Sequence, residues 1–201
     1  MIKLAFLAAI ILTSKSERIG QIGVDNGGPH GIWRLWDYCP PSQLASGFSM
    51  KVEPNRGLLE DDTAVNSICI SCISEDNSSN LTFKCSGEGS RGIDAGYFPC
   101  PVVNSIQTYL TAFQLKVDPE DGDIDETAVN NIQFACRSNT LPDVEYVIEG
   151  NGVQLHGASY GNWSNFCPTG SFVCGIQTKV QIDQTILDDT ALNDVLFECC
   201  A

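Results

Sequence analysis

A twelve-residue segment occurs three times in this chain at almost equal spacing. The copies share the pattern D-[DE]-T-A-[VL]-N-x-[IV]-x-[IF]-x-C, begin 64 and 63 residues apart, and occupy Asp61–Cys72, Asp125–Cys136 and Asp188–Cys199. A self-similar period indicates a repeat architecture in which one unit cannot bury its hydrophobic face alone. The 201 residues therefore predict three similar units within one domain, of about 21–77, 78–140 and 141–201.

Each copy alternates apolar and polar residues with a period of two. In the first copy Ile68, Ile70 and Cys72 share one side with Asn66, which is typical of a half-buried β-strand. A strand containing Lys-Val precedes each copy, at Gly47–Glu53, Ala112–Asp118 and Gly175–Gln181. No helical period is sustained, so we expect an all-β fold. Three antiparallel sheets around a pseudo-threefold axis suit units of this length better than an open stack.

The ten cysteines indicate a disulfide framework, which is typical of exported proteins. A Cys-Pro step precedes each Lys-Val strand, and matching it to the closing cysteine of its unit predicts the pairs Cys39–Cys72, Cys100–Cys136 and Cys167–Cys199. Cys200 points away from Cys199 in a strand, so Cys174 is its candidate partner, and Cys69 and Cys85 remain. Sequence alone leaves other connectivities open.

Zinc is the alternative to part of this framework. One C-x2-C motif is present, at Cys69 and Cys72, but the two histidines, His30 and His156, are isolated. Structural zinc sites need compact sets of four Cys or His ligands. We therefore expect no metal site and no cofactor.

The first sixteen residues differ from the rest of the chain. Lys3 precedes an apolar run from Leu4 to Leu12 and then small polar residues, as in a secretory signal peptide; an N-terminal core strand is the alternative. The run is too short to span a bilayer. We expect residues 1–16 to be removed, leaving a secreted single domain of residues 17–201, with N-glycosylation sequons at Asn77, Asn80 and Asn162.

The net charge of −14 argues against nucleic acid as a partner, because proteins attract phosphates with clustered cations. Anionic membrane surfaces are disfavoured for the same reason. We expect no membrane insertion. The oligomeric state is not predicted by any pattern in the chain.

Several motifs together resemble the vitelline membrane outer layer protein I family. They are the start Asn26–Gly31, the strand S-G-F-S-M-K-V-E, the D-D-T-A-x-N repeats and the Cys-Cys pair at 199–200. The resemblance implies a β-prism of three four-stranded Greek-key sheets. It also implies a secreted, non-enzymatic component of an extracellular coat or secretion, with coat proteins or glycans as partners. The alternative is a carbohydrate-binding protein or a weak chito-oligosaccharide transferase or hydrolase.

The chain departs from the family pattern in two places. Cys69 and Cys85 form an extra pair, and Gly92-Ile93-Asp94 stands where an aromatic residue is expected. The second departure argues against three equivalent aromatic binding sites.

Pairs of carboxylates recur in the three copies. The weak catalytic candidates are Asp61, Asp62, Asp125, Glu126, Asp188 and Asp189. Two carboxylates can divide the work of glycoside hydrolysis, but a turn that hydrogen-bonds its own backbone is needed in all three units and a catalytic site only once. The structural role is therefore the preferred interpretation.

Calcium is a further alternative for the acidic segment Glu120–Glu126. Asp121, Asp123 and Asp125 are spaced as in an EF-hand loop. Glu126 and Ile132 stand where that loop needs glycine and a bidentate glutamate. The segment is therefore not an EF-hand loop, and weak surface binding of Ca²⁺ is the alternative that stays open.

Three further sets of residues have candidate roles. Trp33, Trp36 and Trp163 could stack on sugars, although covering the ends of the core is the preferred interpretation. Lys51, Lys116 and Lys179 share one repeat position, where we expect solvated residues or partners of the acidic turns. Asn66, Asn130 and Asn193 share a strand face with apolar residues, so we expect them to be buried and to fasten the turn to the strand.

Overall fold

The computed structural model describes residues 17–54, 64–74, 81–118, 129–153, 158–181 and 191–201, which are entirely β and irregular structure. Their strands are β1 Arg18–Ile22, β2 Ile32–Trp33, β3 Asp37–Tyr38, β4 Gln43–Val52, β5 Val65–Ser74, β6 Thr82–Cys85, β7 Ile93–Pro99, β8 Val102–Val103, β9 Ile106–Gln107, β10 Tyr109–Val117, β11 Val129–Ser138, β12 Leu141–Glu149, β13 Ser159–Tyr160, β14 Phe172–Val180 and β15 Leu192–Cys200. Across these ranges no helix is long and apolar enough to cross a membrane. The proposed signal peptide lies outside the described residues.

The strands form three antiparallel sheets with one shared topology. The first sheet has the order β6-β5-β4-β7, and the second has the order β12-β11-β10-β13. In both, the fourth strand along the chain lies beside the first, which defines a Greek key. The third sheet has the order β1-β15-β14-β2, with β3 also paired to β14. The predicted all-β prism of three Greek-key sheets is confirmed.

The N-terminal strands complete the sheet of the C-terminal hairpin. β1 pairs with β15, and β2 pairs with β14. In the first two sheets the same outer positions are filled by the strands that follow the hairpin in sequence. The third sheet therefore has the same arrangement, with the two ends of the chain meeting in it.

A glycine-rich segment before the outer strand of each sheet reaches across to a neighbouring sheet. The three connecting hydrogen bonds run from Asn26 Nδ2 to the Leu115 carbonyl (3.1 Å), from the Thr178 N–H to Ser86 Oγ (3.1 Å), and from Asn151 Nδ2 to the Ala95 carbonyl (3.4 Å). Each sheet is thus tied to both of the others, which closes the pseudo-threefold arrangement.

Phenylalanines from all three sheets meet in the core between them. Phe113 and Phe134 belong to the second sheet, and both pack against Phe197 of the third, with ring centroids 4.8 and 5.1 Å apart. Phe48 of the first sheet lies 4.9 Å from Phe134. All four side chains are fully buried. Burial of each ring stabilises the fold by about 1.5–3 kcal/mol.

Five disulfides join the sheets and their flanking segments. They are Cys39–Cys72, Cys69–Cys85, Cys100–Cys136, Cys167–Cys199 and Cys174–Cys200. Cys39–Cys72, Cys100–Cys136 and Cys167–Cys199 are the pairs that the repeat predicts, and the other two join the cysteines that it left over. No cysteine of the described ranges is free.

The Cys-Pro steps attach to β-bulges at one repeat position of β4, β10 and β14. The register shifts at this position, and the extra residue of each bulge is Ser46, Thr111 or Cys174. The carbonyls of these three residues accept the N–H groups of Cys100, Cys167 and Cys39, at 2.7, 2.7 and 2.8 Å. Cys174 therefore occupies a bulge where the other sheets have a hydroxyl residue.

Candidate functional site

The three repeated asparagines belong to the scaffold. Asn66, Asn130 and Asn193 are fully buried. The Nδ2 of Asn66 donates to the Ala64 carbonyl, and the Nδ2 of Asn193 donates to the Ala191 carbonyl in the same way. These carbonyls lie directly before β5 and β15, so the predicted burial of the asparagines is confirmed, and the fastening of the acidic turns, which lie outside the described residues, stays a prediction.

The three repeated lysines have two different environments. Lys116 is buried, so the expectation of a solvated residue is wrong there. The Nζ of Lys179 donates to the carbonyls of Gly28 (3.1 Å) and Pro29 (2.8 Å), and that of Lys51 donates to the Gly89 carbonyl (3.4 Å). Backbone carbonyls, rather than carboxylates alone, hold these ammonium groups. The acidic turns lie outside the described residues, and a contact with them stays a prediction.

These contacts reveal a repeat that the sequence comparison missed. The Gly28 N–H donates to the Asn193 carbonyl, and the Gly89 N–H donates to the Asn66 carbonyl, each at 2.7 Å. The glycines that follow, Gly31 and Gly92, both have a positive φ, of 80° and 87°. Residues 87–92 are therefore the structural counterpart of residues 26–31. In the sequence, both segments contain two glycines three residues apart just before an outer strand, and this spacing could have revealed the repeat.

The tryptophans are partly exposed, and their covering of the ends of the core stays a prediction. Trp33 is 40% exposed and Trp163 is 36% exposed, because both flank the outermost strand positions of their sheets. Trp36 is partly buried and stacks on Tyr38, with ring centroids 5.7 Å apart. Trp33 lies opposite Lys179 in the third sheet, whereas Trp163 precedes Ser164, whose N–H binds the Phe113 carbonyl of the second sheet. Trp33 and Trp163 therefore flank different sheets.

Other predicted sites lie outside the described residues. These are the carboxylates Asp61, Asp62, Asp125, Glu126, Asp188 and Asp189, the acidic segment 120–126, His156, and the sequons at Asn77 and Asn80. Asn162 is described and exposed. Among the described residues, no group of three or more His, Cys, Asp or Glu side chains could hold a metal ion.

The outer faces of the three sheets differ in how well they are filled. The repeated lysine is paired with Ser67 in the first sheet, with Asn131 in the second and with Asp194 in the third. Two residues before that lysine, the first sheet has Ser49 where the others have Gln114 and Gln177. Small side chains at both positions leave the first face hollow.

The second and third faces are closed by their larger polar side chains. Gln114 Nε2 donates to Gln133 Oε1 at 2.6 Å, and the Tyr160 hydroxyl donates to Glu149 Oε1 at 2.7 Å. Burial, together with the hydrogen bond to Glu149, raises the pKa of Tyr160. On the third face, burial raises the pKa of Asp194 to about 6, although the Val195 N–H and Lys179 act in the opposite direction.

The hollow on the first face is a groove of about 370 Å³, which we call the first-sheet groove. Its floor contains Ser49, Ser67 and Cys69, and its walls contain Lys51, Phe83, Glu88, Asp94 and Tyr97. The volume is at the lower end of the range for small-molecule sites. None of the sites predicted from sequence motifs identified this groove, because its residues come from four strands and a loop.

Two exposed aromatic rings form one wall of the groove. Phe83 and Tyr97 meet edge to face, with centroids 5.6 Å apart and planes at 79°. Phe83 lies on the short edge strand β6, which the Cys69–Cys85 disulfide fastens to β5 at directly opposed positions. Ser71 Oγ donates to the Tyr97 hydroxyl at 3.4 Å. The disulfide that is specific to this sheet therefore holds one aromatic residue against the other.

The charged side chains of the groove comprise one ammonium and two carboxylates. Lys51 Nζ lies 3.8 Å from Glu88 Oε2. Asp94 on β7 lies directly opposite Lys51 on β4 in the sheet register, and its Oδ1 accepts the Gly96 N–H at 2.9 Å. Aromatic faces beside hydroxyl, ammonium and carboxylate groups are a combination that can bind a polar ligand with apolar faces.

Comparison with known proteins identifies relatives along nearly the whole described chain. The family model described as Vitelline membrane outer layer protein I matches residues 21–201. The Mus musculus protein "Vitelline membrane outer layer protein 1 homolog" is 41% identical over 180 residues, which are 90% of this chain and 83% of that protein. Its Homo sapiens namesake is 38% identical over 179 residues, 89% and 82% of the two chains.

Among solved structures, frutapin, a lectin from Artocarpus incisa, has a TM-score of 0.49 and 12% identity to this chain. The match covers 94% of this chain and 100% of frutapin.

Proposed function

The chain belongs to the vitelline membrane outer layer protein I family, and from this premise we propose that it is a secreted, non-enzymatic component of an extracellular coat or secretion that binds carbohydrate in the first-sheet groove. Five disulfides support secretion, because such bonds persist in oxidising compartments. The apolar segment after Lys3 supports it independently.

The observation that carries the binding proposal is the hollow first face. A saccharide has apolar C–H faces and polar hydroxyl edges, so it needs aromatic rings and hydrogen-bonding groups side by side. Phe83 and Tyr97 offer the rings. The Ser49 hydroxyl and the Asp94 carboxylate line the same groove and offer hydrogen bonds to sugar hydroxyls.

Binding without chemistry is the better interpretation of the groove's charges. Glycoside hydrolysis needs one carboxyl group as acid and another as base or nucleophile on either side of the bond. Glu88 is engaged in an ion pair with Lys51 on its own side of the groove. The repeated carboxylates of the acidic turns are the basis of the enzymatic alternative.

A filling variant tests the binding proposal. Ser49→Gln gives the first face the residue that the other two faces have at this position, and it should occupy the groove without disturbing the strand. Gln114→Ser is the matched control on the second sheet. On a glycan array we expect the wild-type protein and the control to retain glycans, and Ser49→Gln to lose them with an unchanged thermal midpoint. Undiminished glycan binding by Ser49→Gln would contradict the assignment of the groove.

A product assay tests the non-enzymatic part of the proposal. Purified protein is incubated with chito-oligosaccharides, and the chain lengths are followed by mass spectrometry. We expect them to stay unchanged. Turnover that disappears in Asp125→Asn or Asp188→Asn would instead make the protein an enzyme that uses its repeated acidic turns.

A further inference from the structure

We infer that the first-sheet groove selects saccharides that carry a protonated amine. This inference rests on the proposed carbohydrate binding and adds the charge class of the ligand. It follows from how the three charged side chains of the groove are engaged and from the angle between its two aromatic rings.

The ammonium group of the groove is already engaged by the protein. Lys51 Nζ donates to the Gly89 carbonyl and lies 3.8 Å from Glu88 Oε2. Asp94 is engaged through one oxygen, which accepts the Gly96 N–H. Within the described part of the chain Asp94 takes part in no ion pair, so its charge is left for a cationic ligand.

The aromatic wall suits the same ligand. The rings of Phe83 and Tyr97 are nearly perpendicular, at 79°, and both are more than 40% exposed. A small cation placed in the corner between them can contact both aromatic side chains, and ring faces attract cations. Tyr97 and Asp94 lie on the same strand and line the same groove. An ammonium group can therefore use the rings and the carboxylate together.

The carboxylate is specific to the first sheet. The residue beside the repeated lysine on the outer strand is Asp94 in the first sheet, Tyr160 in the second and Trp33 in the third. The residue that stands in place of an aromatic one thus supplies a negative charge at the hollow first face. Sulfated and sialylated glycans are disfavoured there, because the groove has more carboxylates than ammonium groups and the chain has a net charge of −14.

Three disaccharides that differ at the second carbon of each sugar isolate the amine. β-1,4-linked glucosamine disaccharide carries amines, its N-acetylated counterpart carries amides, and cellobiose carries hydroxyls. Each is titrated into the isotope-labelled intact mature protein at low salt and about pH 6, where a primary amine is protonated, and binding is followed by NMR. We expect the amine disaccharide to bind about 3–10-fold more tightly than cellobiose, with the largest shifts at the amides of Gly96 and Tyr97.

Asp94→Asn tests the source of the preference. This change keeps the size of the side chain and an oxygen for the Gly96 N–H, and it removes the charge. We expect it to bring the three affinities within about twofold of one another while leaving cellobiose binding unchanged. Glu145→Gln, on the second sheet beside Arg137, is the matched control and should keep the preference. At about pH 9 the amine loses its proton, and the wild-type preference should disappear.

Each result separates the inference from the proposed function. Equal affinities for the three disaccharides in the wild-type protein would overturn the amine preference and leave carbohydrate binding in place. A preference retained in Asp94→Asn would overturn the role of this carboxylate. A lysine-containing peptide that binds more tightly than the amine disaccharide would replace the saccharide by a protein ligand. Absence of binding by all three disaccharides, together with an empty glycan array, would overturn both the inference and the proposed function.

Discussion

The side-chain amide of Asn66 donates a hydrogen bond to the carbonyl of Ala64, 3.3 Å away, and Ala64 has a positive φ of 51°. The same pair recurs as Asn193 and Ala191, at 3.2 Å with a φ of 43°. Left-handed backbone is uncommon for a residue with a Cβ. In both sheets the asparagine therefore binds the carbonyl of a strained residue at the point where the closing strand begins.

Replacement of the repeated asparagines should destabilise the fold. We expect Asn66→Ala and Asn193→Ala each to lower the free energy of unfolding by about 1–3 kcal/mol, because a buried backbone carbonyl loses its donor. Asn130→Ala should behave alike, since Asn130 is equally buried. Urea denaturation measures the effect, with the exposed Asn165→Ala as control. Unchanged midpoints accompanied by loss of glycan binding would show that these asparagines form a binding site.

Two glycines with similar φ should respond differently to alanine. Gly31 has a φ of 80°, and a Cβ there would lie 2.6 Å from the backbone of Val180 and Gln181. Gly170 has a φ of 85° with nothing within 4 Å. We expect Gly170→Ala to cost about 1 kcal/mol of stability for the strained backbone, and Gly31→Ala to cost at least about 2 kcal/mol more because the strands must separate. Equal thermal midpoints for the two variants would contradict the close packing of β2 on β14.

Removal of the Cys69–Cys85 disulfide should affect stability and the groove together. This bond closes a loop with a sequence separation of 16, so Cys69→Ala with Cys85→Ala should lower stability by about 3 kcal/mol. It should also weaken glycan binding, because Phe83 loses its support. Cys174→Ala with Cys200→Ala is the control and should leave binding intact. Non-reducing peptide mapping of the wild-type protein should find five bridges, and a Cys72–Cys100 bridge would contradict the pairing within units.

Stability should depend on pH through Asp194. Burial raises the pKa of this carboxyl to about 6, from 3.8, so the folded state holds the proton more tightly than the unfolded state. The stabilisation is complete below about pH 4 and is lost as the pH rises through about 6. Asp194→Asn copies Asn131 of the second sheet, whose Oδ1 accepts the next N–H as that of Asp194 does.

We therefore expect Asp194→Asn to gain about 1–2 kcal/mol relative to the wild-type protein between about pH 4 and pH 7. Denaturant melts across this range measure the gain. Asp25→Asn, at an exposed carboxyl, should show no such trend. A constant difference between Asp194→Asn and wild type would mean that Asp194 ionises normally.

The sequon at Asn162 should be glycosylated in a eukaryotic host, because Asn162 is exposed. Asn162→Gln and Ser164→Ala should both remove the glycan, as mass spectrometry would show. Only Ser164→Ala should also lower the thermal midpoint, because buried Ser164 Oγ accepts the Phe113 N–H at 3.1 Å and donates to the Asn165 carbonyl at 2.8 Å. Equal midpoints would show that the hydroxyl serves glycosylation alone.

The burial of the tryptophans could not be predicted from the chain. Trp33 ends the short strand β2, which follows the positive-φ Gly31 and lies at the outer edge of the third sheet. A large aromatic residue beside a Cys-Pro step is compatible with either a core or a surface position. Whether the ring is buried or exposed depends on which edge of the sheet has no further strand. The pairing of β2 with β14, almost 150 residues away along the chain, determines that edge.

The sequence by itself determined the threefold repeat, the repeated strands and the buried asparagines, and it favoured the observed matching of the cysteines, because these depend on alternation and spacing within one unit. Only the tertiary structure decided where the first-sheet groove lies. The first-sheet groove exists because register brings the small Ser49 and Ser67 together and sets Phe83 and Asp94 on opposite outer strands. A shift of one residue in any pairing would turn these side chains to the other face, and no local pattern specifies which face stays hollow.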